Sequence, residues 1–306
     1  MTVLVPTGRI DICAGILERG GTVAIPTETV YGLAALCDSA AAVHNVFMAK
    51  GRPEDHPLII HVSSPAMAAR YGRLTDSALR LIDCFWPGPL TVLVERTDDV
   101  SDAVTGGRDT VALRMPAHDT ALALIEAVGR GLVAPSANRF GHVSPTTPAH
   151  VMDDLGGLID AVIDAGPCAV GVESTIVDCT GRAQVLRSGA VTPADIEDCL
   201  GLVPDAASGP SRAPGMLASH YAPDTAMVLC EDENSLAETS ARLRAGGHVV
   251  TEIGAGLDPS QYASRLYALL RSAEKSGADV IVALVPSGEG LAAAVRDRLM
   301  KAAAPR

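Results

Sequence analysis

Apolar and polar residues along this chain follow two rhythms. In the first, short apolar runs bounded by Gly, Pro and hydroxyl residues mix irregularly with amphipathic stretches. Apolar positions at helical spacing predict helices over residues 9–19, 40–49, 76–85, 118–128, 148–154 and 193–200. Gly20 and Gly21 stop the first of these, and Asp76 opens the third as an acidic cap. Short β-rich runs predict strands over 22–25, 58–62, 90–94, 110–114, 132–134, 161–163, 175–178 and 184–186. Strands and helices do not alternate strictly. The expectation is therefore an α/β fold with a mixed sheet and packed helices, not a simple doubly wound one.

The second rhythm begins after residues 201–224, where Pro204, Ser208, Gly209, Pro210, Ser211, Pro214 and Gly215 predict a linker. Beyond it, strands over 227–229, 248–253 and 280–285 alternate with helices over 235–245, 262–275 and 290–303. Strict βαβαβα order implies a small parallel sheet. The expected division is residues 1–200, a linker over 201–224 and a second unit over 225–306.

Composition narrows the function classes. The 306 residues are 48% hydrophobic but only 3% aromatic, so Leu, Val, Ile and Ala must fill the core. A formal net charge of -12 argues against strong nucleic-acid binding, which needs surplus Lys and Arg. Cys13, Cys37, Cys84, Cys168, Cys179, Cys199 and Cys230 are scattered and odd in number, which predicts buried free thiols rather than a disulfide framework. No Cys-x-x-Cys or His-x-x-x-His spacing points to zinc. Residues 1–9 lack a secretory pattern, and no apolar run reaches the roughly 18 residues of a membrane helix. A soluble cytoplasmic protein is expected.

The candidate chemistry sits in polar segments at the ends of apolar runs, where α/β proteins gather ligand groups. Thr27, Thr29 and Tyr31 place hydroxyls at alternate positions, either for a small polar ligand or as turn chemistry. Lys50 and Arg52 flank Gly51 after a helix. Two neighbouring cations suit an anion, although a basic helix end also complements the helix dipole. Ser136 and Asn138 offer neutral partners for phosphate or ribose, or a simple turn. Arg114 and Arg187 end apolar strands and need a carboxylate or a ligand. His61, inside an apolar strand, reads first as a core histidine. Ser144 and the Gly171–Thr175 run are hydroxyl-rich loops. His220 and Tyr221 stand inside the linker, as a packing anchor or as part of a lid that folds over the site. Neither a Gly-x-Gly-x-x-Gly nor a phosphate-loop fingerprint occurs.

Taken in order, these segments resemble the YrdC-like family, and within it the longer two-domain threonylcarbamoyl-AMP synthases. The matching motifs are Pro-Thr-Glu-Thr-Val-Tyr-Gly-Leu from Pro26, Lys-x-Arg-Pro from Lys50, Trp-Pro-Gly-Pro-Leu-Thr from Trp86, and Val-Ala-Leu-Arg-Met-Pro from Val111. Ser-Ala-Asn from Ser136, Ser-Pro-Thr-Thr from Ser144, Gly-Val-Glu-Ser-Thr-Ile from Gly171 and Leu-Arg-Ser-Gly from Leu186 follow. The resemblance runs from about residue 8 through the linker and is weaker beyond it. It implies a YrdC-like twisted mixed sheet with flanking helices, followed by a small C-terminal Rossmann-like domain. It implies L-threonylcarbamoyladenylate synthesis from L-threonine, bicarbonate and ATP, with diphosphate released, for the modification of tRNA beside the anticodon. Partner proteins would carry the product to tRNA.

The same resemblance assigns Lys50, Arg52, Ser136 and Asn138 as a catalytic tetrad around the ATP phosphates. It adds His56, Thr110, Ser144, Arg187 and Tyr221 to the ATP contacts, and gives Thr27, Thr29, His61, Arg114, Ala134 and Ser174 to threonine. Mg²⁺ is expected through the ATP phosphates, without a protein metal site. Four features depart from the family pattern. His56 replaces a common Asn, Phe140 a small residue, and Ser188 a common Pro, while Leu217 to Ser219 lack the usual basic residues. Two other readings stay open: an RNA-binding module, and a carbamoyltransferase of the same fold acting on another acceptor.

Overall fold

The computed structural model describes residues 1–207, 213–214 and 221–304. Among these, the first part forms a twelve-stranded mixed sheet. Its strands are β1 Val3–Pro6, β2 Val23–Ile25, β3 Gly32–Leu36, β4 Ile59–His61, β5 Gly72–Arg73, β6 Leu90–Arg96, β7 Thr110–Arg114, β8 Leu132–Val133, β9 Ala161–Asp164, β10 Thr175–Asp178, β11 Gln184–Arg187 and β12 Asp205–Ala206. The order is β1-β9-β2-β3-β8-β4-β7-β6-β10-β11-β12, with β5 beside β6. Parallel and antiparallel pairs mix, as the irregular element order requires: β4 runs parallel to β7, and β8 runs antiparallel to β4.

Side-chain alternation gives the sheet two different faces. Ile60, Leu113, Val92, Val133 and Val177 point into the large core under the helices. Ile59, Ala112, Leu93, Ile176 and Leu186 point the other way and form a smaller apolar patch capped by Ala213. His61 and Arg114, opposite each other in the β4–β7 register, share that second face with Ile59 and Ala112.

Four strands of the sheet escape the sequence pattern: the two-residue β5 and β12, and β1 and β3. β3, Gly-Leu-Ala-Ala-Leu, is buried at every position, so it shows no alternation, and Gly and Ala are poor strand formers. β1 is an edge strand that ends at Pro6 and pairs only with β9 in the described sheet.

The second part has β13 Ala226–Cys230, β14 Val250–Ile253 and β15 Val280–Leu284, all parallel, in the order β13-β15-β14. Helices Glu233–Ala245, Pro259–Lys275 and Leu291–Ala303 cover them. Aspartates cap the first two of these helices, and each cap is part of a capping box. The two parts meet through an apolar cluster that joins Val30, Val143 and Val172 to Tyr262, Leu266 and Leu270. Gly171, at φ +80°, lets the chains approach, since a Cβ there would lie 2.5 Å from both the Ala263 carbonyl oxygen and the Ser264 Cα. The helix Pro259–Lys275 is also tied down by ion pairs from Arg271 to Asp154 (2.6 Å) and from Lys275 to Asp153 (2.6 Å).

The cysteines depart from expectation. Cys84 and Cys199 form a disulfide with Cα atoms 6.6 Å apart, while Cys13, Cys37, Cys168, Cys179 and Cys230 are free and buried. The bonded pair lies on helices Asp76–Phe85 and Pro193–Leu200, which pack together across 115 residues of sequence. Linear spacing carries no trace of such a contact. No helix among the described residues is long and apolar enough to cross a membrane.

Candidate active site

The open face of the large sheet carries a pocket lined by Thr27, Thr29, Arg52, His61, Arg114, Ala134, Ser136, Ser174, Arg187 and Tyr221, with Glu173 and Pro214. The loop between β2 and β3 supplies the threonines. The turn after β8 supplies Ser136. The strand ends of β4, β7 and β11 supply His61, Arg114 and Arg187. Residues far apart in sequence thus share one pocket because their strands are neighbours in the sheet.

Lys50 ends the helix Ala40–Lys50, where Gly51 at φ 62° turns the chain. Its ammonium does not line the pocket. It donates to the carbonyl oxygens of Ser136 (2.5 Å) and Asn138 (2.6 Å), tying that turn to the helix end. Burial, reinforced by Arg52, pushes the Lys50 pKa well below its ordinary value. Arg52 reaches the pocket. Its Nη2 donates to the Pro57 carbonyl (2.9 Å), but its Nε is buried without a hydrogen-bond partner. Burial brings its pKa down to about 10, so it stays cationic at neutral pH. Asn138 donates to the Arg139 and His142 carbonyls at 2.7 and 2.8 Å and leaves Oδ1 unpartnered. The open Arg52 donor suits an incoming anion, whereas the Asn138 oxygen is an acceptor, lies outside the pocket lining and does not.

Two departures from the family pattern touch each other. The His56 ring packs edge-on against Phe140 at 5.2 Å, and the Arg52 guanidinium lies 5.7 Å from the Phe140 centroid. Burial and Arg52 lower the His56 pKa. Ser188, the third departure, accepts a hydrogen bond at its carbonyl from Arg298 (2.9 Å). Leu217 to Ser219, and His220, lie outside the described residues.

On the amino-acid side, Thr27 closes the turn chemistry expected of it. Its hydroxyl donates to the Val30 carbonyl (2.6 Å). Thr29 must therefore be the donor in the 2.8 Å contact between the two hydroxyls, which leaves Thr29 only lone pairs to offer a ligand. That suits an amine or a hydroxyl. Arg114 already has the carboxylate that its burial demands: its Nη2 lies 2.8 Å from Glu28 Oε2. The contact is an ion pair without a hydrogen bond, so Nη2 and both Glu28 oxygens lack hydrogen-bond partners. His61 is buried, with Nδ1 unpartnered; burial and then Arg114 push its pKa down to about 3, so it is neutral. Ser174 contacts Thr91 (2.7 Å) and accepts from Arg187 Nη2 (3.1 Å). Arg187 also donates to the carbonyls of Ser174 (3.0 Å) and Pro214 (3.2 Å), which places described linker residues on the pocket.

Besides Lys50 and Asn138, which also lie outside the pocket lining, three expected residues stand apart. Thr110 begins β7, roughly 13 Å along the strand from Arg114, and lines a separate groove with Arg73, Glu95, Arg96 and Thr180. Ser144 is fully buried and donates to Glu173 Oε1 (2.7 Å). His56 is partly exposed beside Phe140, outside the pocket lining.

Sequence reasoning missed Glu28, Glu173, Tyr267 and Arg298. Each carried a signal. Glu28 and Glu173 are acids inside hydroxyl-rich motifs beside apolar strands, and once buried they require partners. Arg298 falls on the buried stripe Ala294, Val295, Leu299 and Ala302 of its helix, where a charge must be paired. Among the described residues, no group of three or more His, Cys, Asp or Glu is placed to hold a metal ion.

Known proteins resemble this chain over nearly its whole length. Residues 15–189 match the Sua5/YciO/YrdC family, described as "Telomere recombination", and residues 191–304 match "Threonylcarbamoyl-AMP synthase, C-terminal domain". The chain is 39% identical to threonylcarbamoyl-AMP synthase of Pyrococcus abyssi, over 97% of this chain and 95% of that one. It is 38% identical to the Bacillus subtilis enzyme of the same name, over 97% and 94%. The crystal structure of P. abyssi Sua5 complexed with L-threonine superposes with a TM-score of 0.93 at 36% identity, covering 99% of this chain and 97% of that one. With both regions matched in order over nearly the whole length, the chain belongs to the Sua5/YciO/YrdC family.

Proposed function

We infer that this chain is an L-threonylcarbamoyladenylate synthase, an enzyme that takes L-threonine and ATP as substrates. The observation that carries this reading is the unpartnered Arg52 Nε, held beside Ser136 in a pocket whose other end presents Arg114, neutral His61 and the acceptor-only Thr29. One end suits a phosphate group and the other a small amino acid.

The reaction would run in two steps. The threonine amine attacks bicarbonate, water leaves, and a carbamate forms. A carbamate oxygen then attacks the α-phosphorus of ATP and diphosphate departs. The second step joins two anions, so its barrier is largely electrostatic. Arg52 and Arg187 would offset that repulsion. The threonine carboxylate would pair with the pocket-lining Arg114 guanidinium, leaving the amine to Thr29. Lys50 would act on the site by fixing the Ser136–Asn138 turn. Holding the reactants in line would supply much of the rate. The role of Ser144 would be to support the site from behind Glu173.

Mg²⁺ would enter with ATP and neutralise charge on its phosphates. The residues fit an ion held by phosphate oxygens: the Glu173 carboxylate at the pocket wall is already engaged by Ser144, Tyr267 and Arg298. The product would pass to proteins that transfer threonylcarbamoyl to tRNA in the cytoplasm. Diphosphate release tests the reading. It should require ATP, Mg²⁺, bicarbonate and L-threonine together, and mass spectrometry should find threonylcarbamoyl-AMP. Diphosphate release independent of threonine would refute it.

A further inference from the structure

Glu173 raises an electrostatic problem. It lines a pocket that also contains Arg52, Arg187 and Ser136, the groups suited to a triphosphate. A carboxylate at that wall repels the ligand unless its charge is cancelled. The cancelling cation comes from the other part of the molecule. Arg298, on the helix Leu291–Ala303, places Nε 2.8 Å from Glu173 Oε2, with its own side chain 0% exposed and that of Glu173 8% exposed. Tyr267, on the helix Pro259–Lys275, donates to the same oxygen at 2.8 Å. Arg298 also lies 5.2 Å from the centre of the Tyr221 ring, which stacks on Tyr267 at 5.8 Å.

We propose that Arg298 is a positioning residue of the nucleotide side, by which the C-terminal part neutralises Glu173 and keeps the pocket wall attractive to the ATP phosphates. The pair resembles a buried ion pair elsewhere in proteins, where losing one partner leaves an uncompensated charge. Here the two losses differ in sign for the ligand. Removing the cation exposes a negative wall. Removing the anion leaves a positive one. Burial works to raise the Glu173 pKa, but Arg298 and Arg187 outweigh it and bring it down to about 2, in keeping with a carboxylate that stays ionised.

The inference rests on the nucleotide reading above, and the test separates the two. ATP·Mg affinity is measured by calorimetry on the full-length chain, beside diphosphate release, KM for threonine and the unfolding midpoint. Arg298→Gln should weaken ATP binding on the order of tenfold or more, with threonine KM changed by less than about threefold. Arg298→Lys should hold most of the affinity. Glu173→Gln should bind ATP as tightly as the wild type or more tightly, although its fold is less stable. Adding Glu173→Gln to Arg298→Gln should restore much of the lost affinity. A merely structural pair would instead make both single variants weak and the double variant no better.

Wild-type affinity in Arg298→Gln overturns the proposal, as does a double variant no better than Arg298→Gln. If Arg298→Gln does not fold, Glu173→Gln decides alone: tenfold weaker ATP binding there overturns the proposal. A wild-type chain that uses ATP and threonine while the variants fail this pattern removes only this inference. A wild type that neither binds nor uses ATP removes the functional reading as well.

Discussion

The two sides of the pocket are built on opposite principles. At the Arg52–Ser136–Asn138 corner, loops of the large sheet leave Arg52 Nε and Asn138 Oδ1 without partners. At the Glu173 wall, the same sheet is met by two helices of the C-terminal part, and both carboxylate oxygens are engaged. Unmet hydrogen-bonding capacity marks where a ligand is to be received. Saturated capacity marks the frame that holds its place. Substitutions at the first should injure activity, and those at the second should first injure stability.

The strongest challenge to that contrast is Glu173→Ala. It leaves Asp297 as the carboxylate on the buried Arg298 and strips the Ser144 and Tyr267 hydroxyls of their acceptor, and should lower unfolding free energy by about 3–5 kcal/mol, read from denaturant midpoints. Arg52→Ala should behave in the opposite way. Diphosphate release should fall on the order of a hundredfold, or about 2.7 kcal/mol of barrier, while the unfolding midpoint stays near wild type. An unstable but active Arg52→Ala would erase the distinction. Tyr267→Phe removes one donor to a charged group and should cost about 1.5–3 kcal/mol of stability.

The smallest effect per step is set by pH. His61 is neutral when folded, with a pKa of about 3, whereas a free imidazole has its pKa near 6.5. Between those values the unfolded chain binds the extra proton. Stability should therefore fall as pH drops through that window, by about 1.4 kcal/mol per unit, and His61→Gln should flatten the slope. An unchanged slope would show that His61 is not buried neutral.

The sequence and the structure agree best where residues report on their own neighbourhood. The C-terminal alternation was legible because each strand and helix carries its own period, and Asp232 and Asp258 cap the first two helices. β3 was not legible, because a fully buried Gly- and Ala-rich strand has neither alternation nor strand propensity. Within the site, the segments around Thr27, Arg52, Arg114, Ser136 and Ser174 were legible as polar breaks after apolar runs. Which group faces the ligand was not. That Lys50 turns toward two carbonyls, and that Ser144 serves Glu173, depends on contacts across the fold. The charge at Arg298 signalled a buried partner without saying which acid it was.

The Lys50 amine has a consequence for the response to pH. A cation so disfavoured by its dry surroundings keeps its proton loosely while the site is empty. An arriving triphosphate brings negative charge near it and makes the proton worth keeping. Lys50 should then hold its proton more tightly with nucleotide bound than without it, and raising the pH should loosen the Ser136–Asn138 turn of the empty site before that of the filled one.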